Sequence, residues 1–361
     1  MSSRTKSRIG SVSSFAGVLV AFELLARTIS PALPVDPGKW PRIEIAQKLD
    51  QMRRYVEDGR DFPAAFIGSS MVADGIDPVA FTKRSGIRAY NAAFAGPSMR
   101  TITPWTLDIA EPLLRPEAIV LGMQSRELSD NGPKNKTMYE KFMSSPGYRE
   151  TTSNLALRFA GMLERVSYFM RYRRAFREPS QLLEASGVDA LQATRVRVEL
   201  GPLGKRIQRD VPFEDSEEFR TALYEKMLYD FEIGGPELAA LKRLAAELDE
   251  RDVRLIVVNM PVTDGYWAAH RKMGAKDEYH RALEGFLDEA GVTFVDAEDA
   301  LPPEVFRNPM HLDVEARRWL ARALAASWKE LTDAPPARFT LRCVVTQRFC
   351  RVEPEGAGPQ T

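Results

Sequence analysis

FIGSSMVADGID, Phe66 to Asp77, is an apolar run that stops at a glycine and then presents two hydroxyls in succession. A buried strand ends this way when the chain must turn sharply, because Gly68 tolerates backbone angles closed to other residues. In such a turn Ser69 is expected to bond the backbone. Ser70 is expected to face a cleft from a helix N-terminus, where the peptide dipole favours a developing anion. A Gly-Ser pair is also ordinary loop punctuation, so the rest of the chain decides between chemistry and connection.

Working outward, Pro63 to Gly68 (PAAFIG), Ile87 to Asn91 (IRAYN), Glu117 to Met123 (EAIVLGM), Val253 to Met260 (VRLIVVNM) and Val292 to Asp296 (VTFVD) are short apolar runs without alternation. Strands covered on both faces read this way. Helical patterns separate them. PELAALKRLAAELDERD starts at a proline and carries Leu238, Leu241, Leu244 and Leu248 along one stripe, YHRALEGFLDEAG stops at a glycine, and DVEARRWLARALAASW follows Asp313 as an N-cap. The alternation predicts an α/β fold, a three-layer doubly wound parallel sheet. The expected α/β domain covers 40–130 and 236–330, with a helical insertion at 131–235 and a tail at 331–361. The tail is read as loosely ordered.

Within the insertion, LALRFAGMLERVSYFMRYRRAF sets Leu155, Phe159, Met162, Leu163, Val166 and Phe169 on one side. Arg158, Arg165, Arg171, Arg173, Arg174 and Arg177 are more scattered. The expectation is a helix that packs its apolar stripe on the core and leaves a solvated basic face. The sharper reading is a surface for anionic lipid or an acidic glycan.

The N-terminus places Arg4, Lys6 and Arg8 ahead of an apolar stretch from Ile9 to Ile29. About 20 residues suffice to span a bilayer, and Glu23 and Arg27 stand one helical turn apart, able to pair near the far interface. The segment 1–30 is read as an uncleaved signal anchor that holds a single-pass protein in the cell membrane with its body outside the cytoplasm. A cleaved signal peptide ending at Ala32 is the rival, and the proline-rich 31–39 reads as a linker.

At 361 residues and 44% apolar composition the chain can bury a large core. Lysine plus arginine (50) balance aspartate plus glutamate (50), so no global field recruits nucleic acid. No metal or cofactor is suggested: Cys343 and Cys350 are the only cysteines, too few for a zinc cluster, and no phosphate loop or Gly-x-Gly-x-x-Gly follows the first strand. The two cysteines would suit a small hairpin closed by a disulfide in an oxidising compartment, or are unrelated thiols.

In an open parallel sheet ligands bind at the carboxyl ends of the strands. There the sequence offers Gly68-Ser69-Ser70, then Asn91 and Gly96, then Gly122-Met123-Gln124-Ser125, and last FRNPMHLD with His311 ahead of the final helix. A serine needs a base, and histidine is the usual one. Of the three histidines, His270 and His280 lie in a polar helical region and are read as surface residues, which leaves His311.

This order of blocks resembles the SGNH or GDSL hydrolases, which implies a flavodoxin-like sheet. The resemblance runs from about Ala64 to Trp328, excluding the insertion. IGSSMV stands at the Gly-Asp-Ser block, which implies Ser70 as nucleophile; Gly96 stands at the second block, which implies an oxyanion donor; NPMHL stands at the Asp-x-x-His block, which implies His311 as base. Gln124 replaces the asparagine of the third block, with neighbouring Ser125 as a substitute donor, and Asn308 replaces the acid. The anchor, the insertion and RLIVVNMPVTDGY are similar to a membrane-tethered branch that includes proteins of D-alanine transfer and polysaccharide O-acetylation. The resemblance implies acyl-ester hydrolysis or O-acyl transfer on a cell-envelope glycan or other ester, with Ser70, Gly96 and Gln124 as the oxyanion hole and Ser70, His311 and Asn308 as the triad. The alternative from another class is a catalytically weak or inactive protein that binds glycan or an envelope assembly partner.

Overall fold

The computed structural model describes residues 17–18, 20–28, 40–152, 155–170, 198–207, 213–344 and 349–355. The chain divides into two compact units, one of residues 1–43 and 144–196, the other of 44–143 and 197–361. The larger unit is built on β1 (Ala64–Gly68), β2 (Ala89–Asn91), β3 (Ala118–Met123), β4 (Arg254–Asn259) and β5 (Thr293–Asp296), in the spatial order 2-1-3-4-5 and all parallel. The strand order reverses between β1 and β3, where a doubly wound sheet opens its binding crevice.

Successive strand residues point to opposite faces, and both faces are covered. Phe66, Val120, Ile256 and Val258 join one buried cluster with Phe81, Trp319, Leu320 and Leu324. Their neighbours Ile67, Ile119, Leu121 and Val257 are equally buried but lie outside that cluster, on the other side of the sheet. The helices are α1 (20–28), α2 (Ile43–Glu57), α3 (Ser70–Gly75), α4 (Pro78–Ser85), α5 (Met99–Trp105), α6 (Glu111–Leu114), α7 (Ser125–Leu128), α8 (Pro133–Met143), α9 (Pro146–Thr151), α10 (Leu155–Val166), α11 (Glu217–Leu223), α12 (Pro236–Asp249), α13 (Asp264–Ala268), α14 (Ala275–Ala290), α15 (Ala316–Ala326) and α16 (Trp328–Asp333). Within the larger unit, α15 packs on α3 and α4, while α12 packs on α5 and α14. These two groups form the outer layers of the expected three-layer sandwich.

The glycine that ends β1 is required by packing as much as by its turn. Gly68 has φ +150°, and a Cβ there would lie 2.5 Å from both the Gly122 carbonyl oxygen and Cγ2 of Val72. Gly122, its partner in register on β3, would meet the same methyl at 2.4 Å. Two glycines side by side thus let α3 sit directly on the ends of β1 and β3.

Three expectations change. The tail is ordered over most of its length: β8 (Arg338–Val344) continues the sheet parallel to β5, and β9 (Phe349–Pro354) pairs with it antiparallel. Cys343 faces Cys350 across this hairpin and the two are joined by a disulfide. Burial alternates along both strands, with Phe339, Leu341, Cys350 and Val352 inward and arginines outward, so the charged half of the pattern reads as loose chain when taken alone.

The insertion is also shorter than 131–235. Phe142 of α8 stacks with Phe94 of the core, and Leu223 and Leu228 enter the main cluster. Residues 198–207 are fastened to α2: Gln47 and Gln51 donate to the Val198 and Gly201 carbonyls, and buried Lys48 donates to the carbonyls of Asn91 and Gly204. Burial lowers the Lys48 pKa to about 7.

Third, α10 does not bury its apolar stripe: Leu155, Phe159, Met162 and Leu163 are exposed. Its contact with α9 is made through Gly161 instead. Among the described residues no helix is long and apolar enough to cross a membrane. The linker, most of the anchor segment and Arg171 to Arg177 lie outside the described residues.

Candidate active site

Three short elements converge at the β1/β3 switch point. α3 begins immediately after the Gly68 turn, with Ser69 as its N-cap, and the Ser69 hydroxyl accepts from the Met71 N–H at 3.2 Å. Ser70 therefore occupies the first helical position, where backbone N–H groups have no intrahelical partner. Opposite it, β6 (Phe306–Asn308) and β7 (His311–Leu312) form a tight antiparallel hairpin in which Asn308 pairs with His311. The Pro309 carbonyl in the turn accepts from the Thr263 N–H at 3.0 Å, which fixes the hairpin to the loop after β4.

The structure brings Ser70, His311 and Asn308 together. His311 Nε2 lies 2.9 Å from Ser70 Oγ, and His311 Nδ1 lies 2.9 Å from Asn308 Oδ1. The Met310 N–H donates to that same Oδ1 at 3.2 Å, so the amide presents oxygen, not nitrogen, to the ring. Nδ1 then carries the proton and Nε2 faces the serine hydroxyl with its lone pair. This is the tautomer that a general base requires.

Burial pushes the His311 pKa down to about 4, with Arg307, Arg126 and Arg206 adding to the fall and Asp74 opposing it. Asp74 stands one helical turn after Ser70 and takes Arg307 Nη2 at 3.1 Å and Arg206 Nη1 at 2.9 Å. Arg307 precedes Asn308 in β6 and also donates through Nε to the Leu312 carbonyl. The Asp74–Arg307 pair thus ties the element bearing the serine to the hairpin bearing the histidine. Sequence reading missed it because Asp74 and Arg307 are 233 positions apart.

The expected oxyanion donors fare differently. The loop after β2 runs beside the Gly68 turn, with the Phe94 N–H donating to the Gly68 carbonyl at 3.4 Å, and Gly96 follows in it with φ +86°. Asn91 is structural: its amide donates to the Val72 and Ile76 carbonyls and so holds α3 against β2. Gln124 does not serve as expected. Its side chain is fully buried, and its Nε2 donates at 2.8 Å to Asn259 Oδ1 and at 2.8 Å to the Met260 carbonyl, which uses both amide hydrogens. The extra methylene carries the amide past the cleft into a polar network with Asn259, Tyr279 and Glu298.

Ser125 is likewise unavailable, since its hydroxyl bonds Tyr266 at 2.7 Å and His270 Nε2 at 2.9 Å in a fully buried site. His270 is consequently no surface residue: it is 1% exposed and stacks on Trp267. His280 is partly exposed and paired with Glu298. Asp313 caps the approach to α15, accepting from the Glu315 and Ala316 N–H groups. Arg126, which no sequence pattern singled out, is buried and donates to the Pro97 carbonyl at 2.9 Å, linking the loops after β2 and β3. Among the described residues no group of three or more histidine, cysteine, aspartate or glutamate side chains is placed to hold a metal ion.

No protein-family model matches the sequence, and neither does any curated protein. Among solved structures, one similar chain is an acetyl xylan esterase, Est2A, from the rumen bacterium Butyrivibrio proteoclasticus, at 10% identity and a TM-score of 0.31. The similarity covers 74% of this chain and 63% of the esterase. The α/β assignment and the site rest on the geometry above.

Proposed function

We propose that this chain is a serine acyl-ester enzyme of the SGNH type, and the observation that carries the reading is the Ser70–His311–Asn308 alignment, in which the Asn308 oxygen faces Nδ1 and Nε2 faces the serine. Ser70 Oγ attacks the ester carbonyl while His311 Nε2 takes the hydroxyl proton. The tetrahedral oxyanion is met by the N–H groups of Ser70 and Gly96. Collapse expels the alcohol, which receives the proton from His311 and leaves an acyl-serine. Water, deprotonated by His311, then releases a carboxylic acid; a sugar hydroxyl in its place accepts the acyl group and makes the enzyme an O-acyltransferase.

Asn308 orients the imidazole without a charge to stabilise imidazolium, so the site is slower than an aspartate triad but spared the tautomer defect. The N-terminal charge pattern and the bridged Cys343–Cys350 hairpin favour a body outside the cytoplasm, facing an envelope glycan or another ester. The Gln124 amide, fully engaged in the core, keeps a second reading in view, a weakly active or inactive protein that binds glycan or an envelope assembly partner.

Hydrolysis of p-nitrophenyl acetate by the full chain, beside Ser70→Ala and His311→Ala, tests the proposal. Activity abolished in both variants, with fluorophosphonate labelling confined to Ser70, supports the serine mechanism and opens a search for sugar acceptors. An unlabelled Ser70 and an inert parent protein reverse it in favour of the binding role.

A further inference from the structure

The smaller compact unit displays an apolar surface that the proposed ester chemistry does not use. On α10, Leu155, Phe159 and Met162 are 76%, 62% and 63% exposed and recur at i, i+4 and i+7, the spacing of one helical stripe. Gly161, against α9, is on the far side of the helix, where a Cβ would come within 3.1 Å of Arg149 Cβ. The stripe therefore faces away from α9. Arg158, exposed, flanks it.

The N-terminal helix α1 repeats the arrangement. Ala26 is buried, whereas Val20, Leu24 and Leu25 are exposed. Glu23 fastens α1 to the residues just beyond α10. Its carboxylate accepts from Ser167 Oγ at 2.8 Å and from the N–H groups of Tyr168 and Phe169 at 3.0 and 3.1 Å, while Arg27 pairs with it and lies over the Tyr168 ring. The Phe22 and Phe169 rings meet at 5.4 Å. Wherever α1 goes, the end of α10 goes with it.

The charge of the sequence around these faces points to what they would meet. Arg4, Lys6 and Arg8 precede the N-terminal run, and Arg158, Arg165, Arg171, Arg173, Arg174 and Arg177 stand on and after α10, against Glu164 and Glu178 alone between 155 and 178. An apolar stripe flanked by exposed Arg158, in a stretch of sequence so rich in arginine, matches the boundary of an anionic bilayer, where the stripe enters the acyl region and arginine stems reach back to headgroups. At about 1.5 Å per residue, the 12 residues of α10 are too short to cross the hydrocarbon and suited to lying in its surface. We propose that α1 and α10 form a membrane-docking module whose occupant is the anionic headgroup layer of a phospholipid bilayer, with α10 lying flat as a second contact beside the N-terminal segment.

The test uses the full chain with Phe159→Cys carrying an environment-sensitive fluorophore, the native cysteines being bridged, and the same label at Met273→Cys, 98% exposed on the other unit, as control. With phosphatidylcholine vesicles containing phosphatidylglycerol, the label at 159 is expected to be quenched by shallow doxyl lipids and shielded from iodide about tenfold better than the label at 273. Arg158→Glu, or omission of phosphatidylglycerol, lowers that shielding severalfold. Equal iodide access at 159 and 273 overturns the proposal. Shielding at 159 without doxyl quenching also overturns it, and disulfide cross-linking of the unlabelled Phe159→Cys chain then identifies a second copy as the occupant.

Discussion

Two serine–histidine pairs in this molecule have the same Oγ to Nε2 distance, 2.9 Å, and different surroundings. Ser70 and His311 meet at the edge of the sheet, with Asn308 holding Nδ1 as the donor. Ser125 and His270 meet inside the core, where Tyr266 shares the hydroxyl and His270 Nδ1 has no hydrogen-bond partner among the described residues. Among the described residues no acceptor holds the second imidazole for proton transfer, and at 1% exposure the ring is closed off from solvent. Burial pushes the His270 pKa down to about 3, so this ring stays neutral as a packing element against Phe231 and Trp267. Distance alone does not make a nucleophile. A third group and an open edge are needed as well, and of these two pairs only Ser70–His311 has both.

The comparison breaks first at the serines. Ser70→Ala and His311→Ala are expected to cut ester turnover by about 10³-fold or more while leaving thermal unfolding near that of the parent. Ser125→Ala should do the reverse, costing about 1–3 kcal/mol of stability through the lost bonds to His270 and Tyr266 with kcat nearly unchanged. Equal loss of rate in both serine variants would erase the distinction.

Arg307→Ala comes next. The Asp74–Arg307 pair positions the histidine hairpin against α3, so kcat is expected to fall about 10 to 100-fold with KM little changed. Because Arg307 holds the imidazole pKa down and Asp74 holds it up, its removal also moves the acid limb of kcat/KM to higher pH. A rate loss without that displacement would mark Arg307 as merely structural.

The pH dependence sharpens the contrast further. The proposed catalysis requires neutral His311, so the acid limb of kcat/KM is expected near pH 4, where most histidine-dependent enzymes are already protonated. Both histidines have folded pKa values below the ordinary 6.5, at about 4 and about 3. Between pH 6.5 and those values the unfolded chain binds protons that the folded chain does not, so stability falls as the pH is lowered through this window. Denaturant midpoints measured from about pH 7 to about pH 4 should decline, with His270→Phe flattening part of the slope.

The smallest change is Asn308→Asp. A carboxylate at the same place stabilises imidazolium, so the acid limb should move up by about 1 to 3 pH units and kcat should rise. An unchanged limb would show that Asn308 is not the group that orients the catalytic ring.

The sequence already displayed the strands and much of the site, because buried parallel strands announce themselves as unbroken apolar runs, and Asn308, Pro309 and His311 form a local turn. The two cysteines offer a disulfide-closed hairpin as one reading, but that β8 extends the main sheet escaped because an edge hairpin is half charged, and Arg338, Arg342 and Arg351 mask the inward Phe339, Leu341 and Val352. His270 escaped because Arg271, Lys272 and Lys276 make its segment look solvated, whereas α13 turns the ring inward onto Ser125. The stripe of α10 was visible, but which surface it faces was not.

By itself, then, the sequence determined the alternation of strand and helix, the glycine that ends β1 and the two residues, Ser70 and His311, that end up at one edge. Only the tertiary structure decided that Gln124 turns away into the core and that Asp74 and Arg307 lock the two halves of the site together. The first set follows from local periodicity and backbone sterics, which a linear pattern carries. The second depends on which polar groups find partners across more than a hundred residues of chain, and the folded packing alone supplies those partners.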